Sequence, residues 1–345
     1  MTARSNKKPQ KNRNTFVKRI KPFVIGLYAV VIMGIGVGLF SMLDEPVVRS
    51  PEIPATENKI DEDVLAVVAE LGDEGAVTVP VSGLDQLVPE RKTPSWEKNA
   101  VTLAEVTGPE VAIVIDDLGL SREATDRLER MPGPYTLAYL PYAEDLPAQT
   151  GKVRQAGHEL MVHLPMEPKG VAADPGTNAL LLDLPEAEFE RRIKWNLQQF
   201  DGFVGINNHM GSRLTEAAGP MVRVMMHLKA DGYLFLDSLT SANSVGLSAA
   251  KATGVPTVSR DIFLDNIQRV EDIWEQLAKV ERIARKRGYG IAIGHPYSVT
   301  LDVLAEWRET LAAKGITLVP ISQIIKEKLE RDHRLALLDE ELAGD

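Results

Sequence analysis

Acidic and histidine side chains follow several apolar runs of this chain, at the point where each run ends. Asp116 and Asp117 close VAIVIDD, His163 closes ELMVH, His209 closes VGINNH, and His295 closes GIAIGH. Carboxylates and imidazoles bind metal ions and transfer protons near neutral pH. These endings are candidates for chemistry if the fold brings them together.

A repeating pattern of strands and helices would bring them together. From Glu110 onward, an apolar strand, a polar loop and an amphipathic helix recur, and a glycine separates most helices from the next strand. The predicted strands read VAIVID, YTLAYL, ELMVHL, FVGINN, YLFLD, PTVSRD, GIAIG and ITLVP. Such apolar strands are typical of a parallel sheet covered on both faces, with all carboxyl ends at one side. The pattern predicts an α/β fold, a parallel (β/α) barrel of seven to eight strands, with an open sheet as the alternative.

The first two acids are adjacent, and their expected directions differ. Neighbouring strand residues face opposite sides, so one of Asp116 and Asp117 should point to the barrel axis and the other to the rim. Alternatively, Asp117 caps the helix that begins near Ser121. The chain has no cysteine, so any metal ion must be held by nitrogen and oxygen. We therefore expect His163 to be a ligand, a hydrogen-bonded structural role being the alternative.

Other strand endings indicate proton transfer and binding. An unperturbed histidine pKa lies near neutrality, so His295 suits proton donation to a leaving group. His209 lies in a polar loop that either binds a ligand or builds a turn. Further candidates for substrate binding are Asn207, Asn208 and Arg213 of the same loop, and Asp237, Ser238, Arg260, Asp261 and Asp265. The asparagines could instead build the turn, and each of the last five could equally cap a helix or pair with a neighbouring charge.

The amino-terminal region predicts a membrane anchor. Residues 1–21 form a basic tail with eight Lys and Arg from Arg4 to Lys21 and no acid, and residues 22–43 carry no charge. The uncharged stretch is long enough to span a bilayer, and the basic flank places the tail in the cytoplasm. An uncleaved signal anchor is favoured over a cleaved signal peptide. We expect a single-pass inner-membrane protein whose remaining residues lie in the periplasm.

Composition divides the rest of the chain into three parts. Residues 44–109 are acidic and proline-rich, which predicts a flexible linker with one short helix at about 61–71. Residues 110–329 form the barrel, and 330–345 form a helical tail. A net charge of -10 argues against a nucleic-acid partner, which would require a concentrated basic face.

The barrel segment resembles the divergent polysaccharide deacetylase family, a branch of the NodB-like carbohydrate esterase superfamily. The resemblance is carried, in this order, by AIVIDDLG, AGHELMVHLPMEP, GINNHMGSRLT, LFLDSLTSA, VSRDIFLDN and AIGHPY. It implies a deformed barrel and a metal-dependent N-deacetylase site. Position by position, Asp116 is similar to the general base, Asp117 and His163 to metal ligands, and His295 to the general acid.

The chain also departs from the family's orthodox pattern. Glu167 stands where a second histidine follows the first, and INNHMGS replaces an arginine and proline motif. We expect His209 to supply the missing ligand, with Glu167 as the alternative, around a divalent ion such as zinc. The leading hypothesis is a hydrolase that removes N-acetyl groups from an envelope polysaccharide or peptidoglycan-type sugar. The alternatives are a non-catalytic periplasmic protein that binds carbohydrate or a partner, and a hydrolase of another ester, amide or phosphoester.

Overall fold

The computed structural model describes residues 61–73, 93–103, 106–170 and 172–343. The predicted basic tail and anchor, residues 1–43, lie outside the described residues, as does most of the predicted linker. Among the helices within the described ranges, none has both the length and the apolarity that crossing a membrane requires.

The described residues contain one sheet of nine strands, and every pairing in it is parallel. The strands are β1 Glu110–Leu118, β2 Thr136–Tyr139, β3 Glu159–Met166, β4 Gly205–Met210, β5 Leu234–Asp237, β6 Thr257–Ser259, β7 Ile262–Phe263, β8 Tyr289–Gly294 and β9 Thr317–Leu318. Their order is β6-β5-β4-β3-β2-β1-β8-β7, and β9 pairs with β1 beside this path. The eight predicted strands are all present, β6 covers only Thr257–Ser259 of the PTVSRD segment, and the two-residue β7 was not predicted.

The sheet is a parallel half-barrel with helices rather than a closed ring. Its two edges, β6 and β7, do not pair with each other in the described structure, and only Arg260 and Asp261 separate them. The backbone N–H of Arg260 donates to Asp237 O at 3.0 Å, while that of Asp261 donates to Ile291 O at 2.9 Å. The chain therefore passes directly from one edge strand of the sheet to the other. The predicted parallel α/β architecture is confirmed. The described strands form a half-barrel instead of the closed, continuously hydrogen-bonded barrel that the sequence predicts.

Helices alternate with the strands, as predicted. They are α1 Glu62–Asp73, α2 Ser95–Asn99, α3 Arg122–Arg130, α4 Leu146–Gln155, α5 Glu186–Leu197, α6 Ala218–Asp231, α7 Gly246–Thr253, α8 Val270–Arg287, α9 Ser298–Lys314 and α10 Ile321–Ala343. Gly232 and Gly254 end α6 and α7 with φ of 71° and 79°, a conformation that glycine adopts without a Cβ penalty.

The two faces of the sheet carry different cores. In β1, Val111, Ile113 and Ile115 belong to the cluster that includes the surrounding helices, whereas Ala112 and Val114 belong to a second, inner cluster. That inner cluster also contains Trp96 and the first turns of α10. Side chains point alternately to the two faces along a strand. The same alternation therefore identifies which residues at the carboxyl ends of the strands lie on the inner face.

Two segments of the predicted linker pack on the half-barrel. The predicted short helix is confirmed as α1, whose Val64 is buried in the outer core cluster, and α1 contacts α6 and α7. Further along, Trp96 is buried in the inner cluster, and its backbone N–H donates to Gly232 O at 2.9 Å. These parts of the linker therefore contact the folded domain instead of standing free of it.

A buried acid at the start of β1 makes stability depend on pH. Burial, together with the Glu327 carboxyl group of α10, raises the pKa of Glu110 from 4.5 to about 8. Its Oε2 is buried and accepts no hydrogen bond. Folding therefore favours the protonated acid, and the stability linked to that proton is lost as pH rises from 4.5 toward 8.

We expect Glu110→Gln to remove this pH dependence. At pH ~9 the variant should exceed the wild type in free energy of unfolding by about 1–3 kcal/mol, because it has no charge to bury. At pH ~5 the two proteins should agree within about 0.5 kcal/mol. Urea unfolding at both pH values checks this, and an equal difference at the two values would contradict it.

Candidate metal centre

Residues from four different strands or strand ends meet at the carboxyl side of the inner face. His163 in β3 and His295 after β8 continue the parity of the inner core residues of their strands, whereas Asn207 and His209 in β4 are opposite in parity to Ile206, which belongs to the outer cluster. In the β3–β4 register, His163 is paired directly with Asn207. Strand parity and register thus account for most of the site.

Asp117 joins the site through an irregularity in β1. By parity, Asp116 faces inward and Asp117 should face outward, as the sequence predicts. The register with β2 shifts between Ile115 and Leu118, and Asp117 has φ of 56°. An extra residue and a left-handed conformation break the alternation, so both carboxylates approach one nitrogen of His163, at 3.7 and 3.2 Å. The prediction of opposite directions is therefore wrong.

Asp117, His163 and His209 form a candidate metal-binding group. Asp117 Oδ1 lies 3.2 Å from His163 Nε2 and 2.9 Å from His209 Nδ1. One ligand atom from each residue lies within 4.8 Å of the others. The Oδ1 atom of Asp117 is also buried, and no contact to it meets hydrogen-bond geometry. A buried carboxylate oxygen at ion-pair distance from two imidazole nitrogens fits a divalent ion that prefers nitrogen and oxygen ligands, such as zinc.

The charges at this centre are strongly coupled. Burial raises the pKa of Asp117, but the neighbouring His163 and His209 imidazoles outweigh burial and hold that pKa well below its usual range. Burial lowers the pKa of His163, and the charges of Asp116 and Asp117 reverse that effect and raise it. The pKa of Asp116 is raised, chiefly because its carboxyl group is buried. Without a cation, the buried acids depend on the imidazoles for compensation.

His295 is oriented by a buried acid. Its Nδ1 lies 3.0 Å from Asp265 Oδ1, and its backbone N–H donates to Asp265 Oδ2 at 2.6 Å. Thr300 also donates to Oδ2, at 2.8 Å. His295 Nε2 consequently faces the centre, 3.7 Å from Asp117 Oδ2. Burial disfavours the charged imidazole, but Asp265, with smaller effects of Asp116 and Asp117, outweighs burial and raises the pKa of His295 to about 9.

Glu167 does not take part in the group. Its Oε1 accepts from the Arg213 guanidinium, and its Oε2 accepts from the backbone N–H of Leu182 at 2.7 Å. Its carbonyl oxygen accepts from the N–H groups of Arg213 and Leu214 at 3.0 and 3.1 Å. The acid thus ties neighbouring loops together. These contacts favour His209 over Glu167 as the third ligand, an assignment that stays a prediction, and the Arg213 guanidinium lies in an ion pair with Glu167.

A substitution at Glu167 tests whether this acid is a metal ligand. We expect Glu167→Gln to leave zinc affinity within about threefold of the wild type, because the carboxylate pairs with an arginine rather than with the centre. The free energy of unfolding should fall by about 0.5–1 kcal/mol, as is usual for a half-exposed ion pair. Calorimetric zinc titration and urea unfolding measure the two effects. A tenfold or greater loss of zinc affinity would restore Glu167 as a ligand.

Other residues predicted to bind substrate hold the loops around the site. Asn208 faces away from the centre, where its Oδ1 accepts from Ser238 N at 2.9 Å and its Nδ2 donates to Met210 O at 2.8 Å. Asp237 is fully buried and accepts from Leu239 N and Ser244 Oγ at 2.8 and 2.7 Å. Both side chains are engaged in building the turn after their strands.

The side chains of Arg260 and Asp261 also form hydrogen bonds or ion pairs within the protein. Arg260 donates to the carbonyl oxygens of Ser238 and Leu239 at 2.8 and 3.0 Å. Asp261 pairs with Arg287 and accepts from Ile291 N at 2.8 Å. The substrate-binding role of these residues stays a prediction, and their observed contacts are structural.

Aromatic side chains near the centre were not predicted. The rings of Phe263 and Tyr297 lie 5.3 and 5.6 Å from that of His295. Burial raises the pKa of Tyr142 and of Tyr297; the charge of Asp117 adds to this at Tyr142, and the charges of Asp265 and Asp117 add to it at Tyr297. In the sequence, Tyr142 ends the apolar run LAYLPY, and Tyr297 lies two residues after His295. The centre is flanked by rings that an apolar or sugar surface can contact.

The half-barrel and the grouped carboxylates and imidazoles define an α/β protein with a candidate metal centre at the carboxyl ends of its strands. Residues 113–325, more than half of the chain, match the sequence profile of a family described as divergent polysaccharide deacetylase. The chain belongs to this family, and the resemblance noted from its motifs is confirmed.

Two curated proteins and a solved structure are similar to this chain. An uncharacterized protein of Escherichia coli (strain K12), YibQ, is 36% identical over 223 residues, which cover 64% of this chain and 69% of the relative. A protein of Haemophilus influenzae is 34% identical over 195 residues, covering 56% and 69%. The crystal structure of the uncharacterized protein ATU2773 from Agrobacterium tumefaciens C58 is 28% identical, with a TM-score of 0.65 over 72% of this chain and 99% of that one. The structure of ATU2773 thus shares the fold of this chain.

Proposed function

We propose that this protein is a metal-dependent hydrolase that removes N-acetyl groups from a carbohydrate of the cell envelope. The observation that carries the proposal is the meeting of Asp117, His163 and His209 beside two further titratable groups, Asp116 and His295. Family membership supports an acetylated carbohydrate as the substrate class. An amide hydrolase needs a water activator, a stabiliser of the carbonyl oxygen and a proton donor, and the residues present suit these tasks.

The metal is proposed to be held by Asp117, His163 and His209, and zinc suits this donor set. When bound there, a divalent cation supplies Lewis acidity, which polarises a carbonyl group and makes water easier to deprotonate. Three protein ligands leave further coordination positions open, as in catalytic rather than structural zinc sites.

Asp116 is proposed to be the general base. Its Oδ1 accepts a hydrogen bond from Asn207 Nδ2 at 2.7 Å, whereas its Oδ2 faces the centre, 3.7 Å from His163 Nε2. Oδ2 would take one proton from the attacking water as the water oxygen bonds to the acetyl carbon. The hydrogen bond to Oδ1 holds the carboxylate in one orientation, so Oδ2 stays directed toward the centre.

His295 is proposed to be the general acid. Asp265 holds its Nδ1, so its Nε2 is directed toward the centre. The Nε2 proton would pass to the sugar nitrogen as the bond between that nitrogen and the acetyl carbon breaks. The products are then acetate and a free amine, and the proton taken by Asp116 balances the one given by His295.

Acetate release tests the proposal. The zinc-loaded protein is incubated with N-acetylglucosamine oligomers and with peptidoglycan, and acetate is measured before and after chelation and readdition of zinc. We expect release that stops on chelation, returns with zinc and is at least about 100-fold slower in Asp116→Asn. A zinc-loaded wild type that releases no more acetate than Asp116→Asn from either substrate would refute the proposed reaction.

We also propose that the protein is anchored in the inner membrane with residues 44–345 in the periplasm. The basic tail and uncharged stretch of residues 1–43 support this location. Protease added to spheroplasts should digest the carboxyl-terminal domain and leave a short membrane-bound fragment. Protection of the whole chain until the membrane is dissolved would contradict the proposed location.

A further inference from the structure

We infer that Asn207 is a positioning residue that fixes the tautomer of one metal ligand and the orientation of the general base at the same time. The inference rests on the proposed metal centre, and it assigns Asn207 a task different from the substrate binding expected from the sequence. Asn207 is fully buried at the centre of β4 and lies between His163 and Asp116.

Both ends of the Asn207 amide are engaged at short distance. Its Oδ1 lies 2.8 Å from His163 Nδ1, and its Nδ2 donates to Asp116 Oδ1 at 2.7 Å. A second, longer contact joins Nδ2 to Ser238 Oγ at 3.2 Å. One side chain therefore bridges a metal-ligand candidate and the base candidate, which come from different strands.

Strand register places the amide there. His163 and Asn207 are direct partners across the β3–β4 pair, so their side chains stand side by side on the inner face. His209 follows two residues later on the same face, where its Nδ1 reaches Asp117. The segment that replaces the family's arginine and proline motif thus supplies a ligand and the residue that orients another ligand.

The hydrogen-bonding chemistry of Asp116 and His163 determines which atom carries the hydrogen in each contact with Asn207. An ionised Asp116 only accepts hydrogen bonds, so the NH₂ group of Asn207 must face it and the amide oxygen must face His163. That oxygen accepts, so His163 Nδ1 must carry the hydrogen. In neutral His163, the form that binds a metal ion, the lone pair is then on Nε2, the atom that faces Asp117. Partners of this kind hold ligand histidines in the tautomer and ring orientation that a metal requires.

Two substitutions separate the two tasks. Asn207→Ala removes both hydrogen bonds. Asn207→Asp keeps an oxygen to accept from His163 Nδ1, but it cannot donate to Asp116 and places a second carboxylate beside it. Asn196→Ala is the matched control, because Asn196 is also fully buried and donates two hydrogen bonds, to Asn178 O and Arg192 O, at 3.0 and 2.8 Å.

The experiment measures zinc affinity by calorimetry and the His163 Nδ1–H signal by NMR of ¹⁵N-histidine-labelled, zinc-loaded protein. We expect Asn207→Ala to bind zinc about 10–100-fold more weakly and to lose the exchange-protected Nδ1–H signal. Asn207→Asp should keep the signal and bind zinc within about threefold of the wild type, yet release acetate at least about 100-fold more slowly. Asn196→Ala should lower the melting temperature without changing the signal or the zinc affinity.

Failure of this inference differs from failure of the proposed function. A wild type that binds zinc and an Asn207→Ala variant that binds it equally, with the Nδ1–H signal unchanged, would overturn the positioning role and leave the metal centre standing. A wild type that binds no zinc would overturn both. If Asn207→Ala does not fold, the signal in Asn207→Asp decides, because its loss there would contradict the bond to His163.

Discussion

His163→Ala is expected to abolish specific zinc binding while leaving the protein folded. Its Nε2 lies within 3.2 Å of Asp117 Oδ1 and its Nδ1 is held by Asn207, so the ring is both a ligand candidate and fixed in place. Removing one of three protein ligands should weaken zinc binding at least about 1000-fold, and acetate release should fall in parallel. Calorimetric titration of the metal-free protein with zinc measures the loss.

The control for this prediction is His227→Ala. His227 pairs with Glu190 on the helical surface, away from the centre, so its removal should leave zinc affinity within about threefold of the wild type. If both histidine variants bind zinc as the wild type does, the assignment of His163 as a ligand is wrong. Circular dichroism confirms that each variant retains its fold.

His295→Gln is expected to abolish acetate release without removing the metal. Glutamine keeps a polar group beside Asp265 but has no titratable proton to give to the departing nitrogen. Loss of a general acid costs about 100–10,000-fold in rate, whereas zinc affinity should stay within about threefold. Measuring kcat and zinc affinity on the same preparations separates chemistry from metal binding.

Asp265→Asn extends this second prediction. Asparagine can still accept from His295 but carries no charge, so we expect an intermediate loss of rate, about 10–100-fold, again with zinc retained. A His295 variant that loses zinc as completely as His163→Ala would instead make His295 a ligand. Unchanged rates in both variants would remove His295 from the reaction.

Much of the site follows from strand endings alone. His163, His209 and His295 were predicted at the carboxyl ends of apolar strands, and strand parity brings them to one face, as the parallel fold requires. The choice between His209 and Glu167 remained open in the sequence because both follow strands in polar loops. The structure separates them, since Glu167 pairs with Arg213 while His209 reaches Asp117.

The features that escaped prediction depend on contacts between distant residues. The turn of Asp117 toward the site arises from a register shift against β2, and no local pattern around Asp116 and Asp117 signals it. The task of Asn207 depends on its pairing with His163, 44 residues away, and on Asp116, 91 residues away. Likewise, β6 and β7 do not pair with each other because β6 pairs with β5 and β7 pairs with β8. Register and pairing are set by the whole fold, so single-sequence periodicity does not contain them.

The two departures from the family's orthodox pattern fall in one part of the candidate centre. In place of the second histidine, the proposed site uses His209, which comes from the neighbouring strand β4. The segment that replaces the arginine and proline motif also carries Asn207, which contacts Asp116 directly. In the proposed mechanism, His209 would supply the ligand and Asn207 would position the base.

Anomalous diffraction at the zinc edge, from crystals of the zinc-loaded protein, would locate the metal ion itself. We expect a strong peak about 2.0–2.2 Å from His163 Nε2, His209 Nδ1 and an Asp117 carboxylate oxygen. The peak should be absent from crystals of His163→Ala. A zinc-loaded crystal with no peak among these three residues, or with its peak at Glu167 instead, would contradict their assignment as the metal ligands.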